Sequence, residues 1–109
     1  MAGSVILTRD LSWPVNSSQY NWVLEFLLNS ATSVGLTELL VETLENNLPM
    51  LSVADMEPDD RLTVLRLLRD HLVSDATERL PSSMANRAGY VHALEELAAL
   101  ARRVLAERG

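Results

Sequence analysis

Residues 4–15 read Ser4-Val5-Ile6-Leu7-Thr8-Arg9-Asp10-Leu11-Ser12-Trp13-Pro14-Val15, and the fold class turns on how they are taken. Val5-Ile6-Leu7-Thr8 has the β-branched, apolar character of a short strand. A strand needs a neighbour, however, and no second run in the chain offers itself as one. Trp13-Pro14 holds the backbone in extended or turn geometry ahead of whatever follows. The expectation is an extended N-terminal arm, residues 1–15, lying across a helical bundle with Trp13 as its anchor.

Helical periodicity fills the rest of the chain. A first helix is predicted over 17–30, with Asn16 as N-cap and Gln19 in the capping-box position. Tyr20, Trp22, Val23, Leu24, Phe26, Leu27 and Leu28 leave only Asn21, Glu25 and Asn29 as a polar strip, so this helix is covered on several sides or meets another chain. A second helix spans 34–47 and ends before Pro49. The apolar linker 48–55 is expected to hold a helical turn capped by Ser52 that buries Met50, Leu51 and Val53. A third helix opens near Asp55–Pro58, where proline costs nothing in the first turn, and stops before Pro81. A fourth begins at Ser82 or Ser83, or at Gly89, and runs to about Glu107. Short connections favour antiparallel neighbours. The predicted fold is all-α: one domain over 1–109, a compact antiparallel bundle of four main helices with one or two short helical turns.

Composition narrows the function. The 109 residues carry 9 basic and 15 acidic side chains, a formal charge of −6, and no cysteine. Disulfides, thiolate metal sites and cysteine nucleophiles are thereby excluded. Every basic residue is arginine, as in GC-rich bacterial coding. The acidic balance argues against nucleic acid, whose phosphates select clustered cations. The N-terminal apolar run is too short for a signal peptide, and no stretch reaches the length of a membrane span. The expected location is the cytoplasm, with no membrane partner.

Catalytic patterns fail one by one. No serine lies in Gly-x-Ser-x-Gly, and the absence of lysine removes Ser-x-x-Lys. The four glycines, at 3, 35, 89 and 109, are too scattered for a phosphate loop. His71 has Asp75 four residues on, and His92 has Glu95 and Glu96 at three and four. A di-metal bundle needs such residues on inward faces, whereas His92 falls on a polar face and His71 at a polar edge. The expectation is no catalytic residue, no metal and no cofactor, and hence no enzyme.

Two surfaces remain as candidates for a partner. Glu38, Glu42 and Glu45 share one half of the second helix with no arginine within four positions. Like charges so spaced oppose helix formation by a few tenths of a kcal/mol per pair. Asp55, Glu57, Asp59 and Asp60 lie just beyond the linker that follows this helix and are expected to extend the negative patch. The second surface is apolar: Trp22 and Phe26 are of the residue types that anchor interfaces. In its size, acidity and helical pattern the chain resembles bacterial immunity proteins and antitoxins, which mask basic toxins or nucleases. Its short helices and the turn near Ser52–Asp55 also resemble death-fold, CARD-like recruitment domains of bacterial defence. The first resemblance implies a non-enzymatic module that binds a basic protein; the second implies self-association. A further alternative, a small metal-binding or enzymatic helical bundle, requires a concave pocket that holds His71 or His92.

Overall fold

The structure is a computed structural model that describes residues 2–108. The chain forms two compact units that divide between Val64 and Leu65, a point inside one helix.

The first unit opens on a hairpin where an arm was expected. Strands β1 (Ala2–Ile6) and β2 (Ser12–Asn16) pair antiparallel, with Val5 opposite Trp13 and Ser4 opposite Pro14. Thr8 makes the turn. Its hydroxyl accepts from the Asp10 and Leu11 amides at 3.3 and 3.1 Å, while the Leu7 amide donates to the Leu11 carbonyl at 2.9 Å. A third strand, β3 (Met50–Ser52), lies parallel to β1 on its other side, giving the order β2-β1-β3. The protein is therefore mixed α/β, and the all-α antiparallel bundle is corrected to five helices with a three-stranded mixed sheet.

Proline in β2 is compatible with the sheet for a specific reason. The Ser4 amide donates to the Pro49 carbonyl at 2.9 Å, on the β3 side. Successive backbone groups alternate direction along a strand, so the Ser4–Pro14 pair exchanges no bond and needs no N–H from Pro14. Proline is tolerated on such an edge strand.

Helices α1 (Ser17–Ser30) and α2 (Val34–Glu45) follow in this unit, then a 3-10 turn at Val53–Asp55 and the beginning of the helix that starts at Pro58. As predicted, Asn16 caps α1: its side-chain oxygen accepts from the Gln19 amide at 2.9 Å. Helix α1 packs on α2 and on both hairpin strands. Gly3 and Val5 form the buried face of β1, Leu7 is buried just past its end, and Val5 stands in register with buried Leu51. The helical turn foreseen in the linker begins at Val53, and Val53 and Leu51 are buried, but Met50 is 51% exposed because β3 has claimed it.

The second unit contains the end of α3 (Pro58–Asp70), then α4 (Leu72–Arg79) and α5 (Arg87–Arg108), with α4 and α5 packed together. The single helix expected up to Pro81 is broken at His71, whose φ of −123° leaves the helical range. The Ser74 hydroxyl and the Asp75 amide share the His71 carbonyl at 3.2 and 2.9 Å, a back-bonding pattern that bends helices. Helix α5 starts later than the serine pair at 82–83. Asn86 adopts a positive φ of 56° and its carbonyl accepts from the Tyr90 amide at 3.0 Å. The Asn86 amide group lies over Gly89, where a β-carbon would stand 2.6 Å from its oxygen.

Candidate functional site

Within the first unit a groove of about 250 Å3 runs between α2 and the strand-and-turn segment that follows it. Leu39 and Thr43 form the helix side; Met50, Leu51 and Ser52 form the strand side. Leu48, Asp55 and Met56 complete the lining. Leu39, Leu48 and Met50 are 38, 41 and 51% exposed, and they belong to a small set of large apolar side chains that stay open to solvent. Their gathering in one groove sets it apart from the rest of the described surface, since scattered exposed hydrophobics are ordinary and clustered ones mark binding surfaces.

The glutamates of α2 stand to one side of the groove. At about 100° per residue, Thr43 lies roughly 40° round α2 from Leu39 on the groove side, while Glu42, Glu38 and Glu45 lie about 60°, 100° and 120° round in the other sense, so that Glu42 stands beside Leu39 and the other two turn away from the groove. All three are exposed, and among the described residues none pairs with an arginine. Asp55 enters the groove directly and accepts a hydrogen bond from Ser52 Oγ at 3.0 Å.

The other predicted residues separate by role. Asp60 is half-buried and accepts from Ser33 Oγ at 2.9 Å, while Ser33 Oγ itself accepts from the Leu36 amide at 3.0 Å. Asp60 thereby orients the cap of α2, a structural task. Glu57 and Asp59 are exposed, and Asp59 lies in the first turn of α3, where a carboxylate complements the helix dipole. Phe26 is only 4% exposed, and half-buried Trp22 stacks on it at 6.0 Å with 5° between ring planes. Phe26 thus spends its surface inside the protein, while Trp22 stays partly open to solvent. Leu39, Leu48 and Met50 were missed in the sequence, because a linker bounded by Pro49 looked like buried packing.

The second unit carries a depression of about 290 Å3 lined by Arg69, Val73, Glu95, Ala98, Ala99 and Arg102. Arg69 is already committed to Asp70 by two bonds of 2.7 and 2.8 Å. The hydrogen bond from the Arg69 guanidinium holds the Asp70 carboxyl below its ordinary value of 3.8. His92 is exposed, 3.2 Å from Glu96 and 3.9 Å from Glu95, and His71 is exposed at the α3–α4 break. Among the described residues no group of three or more His, Asp or Glu side chains converges on a point that could hold a metal ion. No described helix is long and apolar enough to cross a membrane. Comparison with known proteins finds no family model, no curated protein and no solved structure that matches this chain.

Proposed function

We propose that this chain is a non-enzymatic protein-interaction module of the bacterial cytoplasm. It holds a basic partner protein in the α2–β3 groove, in the manner of a neutralising immunity protein or antitoxin. The observation that carries this reading is the meeting of two features in one place: three solvent-open apolar side chains, Leu39, Leu48 and Met50, with the Asp55 carboxylate in the same lining and Glu42 next to Leu39 on α2, neither paired with an arginine among the described residues. Apolar floor and charged rim are the common anatomy of protein interfaces. Uncompensated carboxylates select a cationic partner and speed its encounter.

The test compares bait proteins on one bacterial lysate: the chain itself, the triple variant Glu38→Arg/Glu42→Arg/Glu45→Arg, and Met50→Asp. A basic protein whose recovery drops at least tenfold with both variants, and falls with added salt, is the expected result. Recovery profiles that neither variant alters remove the groove from the account. Concentration-dependent self-association lost in Met50→Asp, with no basic partner, would replace neutralisation by recruitment of a second copy.

A further inference from the structure

We propose that the partner contributes an extended segment that adds to the sheet as a fourth strand along the free edge of β3. This rests on the groove reading above and specifies how the groove is filled.

Side chains of consecutive strand residues point to opposite faces. Met50, Leu51 and Ser52 are consecutive, yet all three line the groove. A cleft touched by both parities follows the edge of the strand, where the backbone itself is in reach. The opposite edge of β3 is taken by β1, so the groove follows the free one.

The direction of the backbone groups is fixed by one bond. The Ser4 amide donates to the Pro49 carbonyl, so Pro49 and Leu51 turn their polar groups toward β1. Alternation aims those of Met50 outward, together with the Ser52 amide. Among the described residues no strand lies on that side. Such an edge is a template for a further strand.

The sheet's other edge is closed by its own sequence. On β2 the outward positions are Ser12, Pro14 and Asn16, and the central one, Pro14, has no N–H to offer. One edge is thus blocked at its centre, and the edge left open is the one beside exposed aliphatics and carboxylates. The occupant this selects is an extended segment with apolar and cationic residues in alternation. One parity reaches Leu39 on the helix-covered side, the other lies beside Met50, and Glu42 and Asp55 supply the counter-charge.

The test uses the full chain, labelled with nitrogen-15, and the synthetic peptide acetyl-Arg-Val-Arg-Val-Arg-Val-amide. Two further peptides carry backbone N-methyl groups, one on every arginine and the other on every valine. Strand addition uses the N–H groups of one parity alone. The expected result is that one methylated peptide binds at least tenfold more weakly while the other matches the parent, and that the Met50 and Ser52 amides become protected from exchange. Equal tolerance or equal loss of both methylated peptides overturns strand addition. If tolerance is equal but Met50→Asp still abolishes binding, the groove reading survives without it. A parent peptide that shows no saturable binding below about 1 mM, some 4 kcal/mol of affinity, overturns both.

Discussion

The ring of Tyr20 lies against the bare Cα of Gly3, so closely that a β-carbon on Gly3 would sit 2.3 Å from Tyr20 Cγ and 2.8 Å from Tyr20 Cβ. These are the root atoms of the side chain, and they cannot swing aside without moving α1. The glycine is therefore what lets the first helix seat on the central strand.

Gly3→Ala is expected to destabilise the protein by about 1–3 kcal/mol, the ordinary cost of overfilling a packed site. Thermal or urea unfolding measures it. A double-mutant cycle with Tyr20→Ala gives a smaller loss than the sum of the two single changes, because alanine lacks the Cγ and ring atoms that meet the new β-carbon most closely.

The Tyr20 hydroxyl donates to the Leu48 carbonyl at 3.0 Å. Tyr20→Phe is expected to cost about 0.5–1.5 kcal/mol, the net value of one hydrogen bond. Burial raises the Tyr20 phenol above its ordinary value of 10.0, so the folded chain keeps this proton more tightly than the unfolded chain does. That contribution is whole below pH 10.0 and disappears as pH climbs through the folded value. In a Tyr90→Phe background, absorbance near the phenolate band reports Tyr20 alone, and its midpoint is expected above 10.0.

Asp60 and Ser33 act as one device at the start of α2. Ser33→Ala removes the cap and is expected to cost about 1–2 kcal/mol. Asp60→Asn keeps a hydrogen-bond acceptor and is expected to cost less. Binding of a basic partner should be unchanged by Asp60→Asn and weakened by Glu42→Gln, which separates the structural carboxylate from the docking one.

Glu38, Glu42 and Glu45 repel one another along α2 at i,i+4 and i,i+3 spacing. Glu42→Gln relieves both contacts and is expected to raise stability by a few tenths of a kcal/mol while lowering partner affinity. Added salt raises the stability of the parent more than that of the variant, since it screens a repulsion the variant has lost.

Pro14→Val restores an outward amide to the β2 edge without touching the ladder to β1. The monomer is expected to keep its secondary structure by circular dichroism and to gain concentration-dependent association in light scattering.

What could be read in advance was local. Asn16 precedes an apolar run and caps it; Pro58 stands where a first turn accepts it; both follow from chemistry within one helical turn. The sheet is different. Nothing near Val5 announces that its neighbour in the sheet is Leu51, because two helices intervene between them. Trp13-Pro14 could be read only as extended or turn geometry until the Ser4–Pro49 bond set the alternation, and Thr8 supplied a turn without the Asn-Gly or Asp-Gly pairs that usually mark one. The groove was hidden with the sheet, since Met50 is open only because Leu51 is tucked against Val5. The acidic residues were visible as a set, but composition could not tell Asp60, which serves Ser33, from Glu42, which serves nothing inside the protein.

The middle strand of the sheet is made two helices ahead of one of its neighbours, and that order has a cost during synthesis. The ribosome releases β1 and can pair it with β2 almost at once, but β3 emerges only after α1 and α2 have been made. At ~5–20 residues per second the opposite flank of β1 stays bare for several seconds. A nascent chain in that interval presents Ser4 and Ile6 to whatever extended peptide is nearby, and chaperones or a neighbouring copy have their best opportunity then. Slowing translation between the codons for Ile6 and Met50 would lengthen that opening and raise the yield of misassembled product.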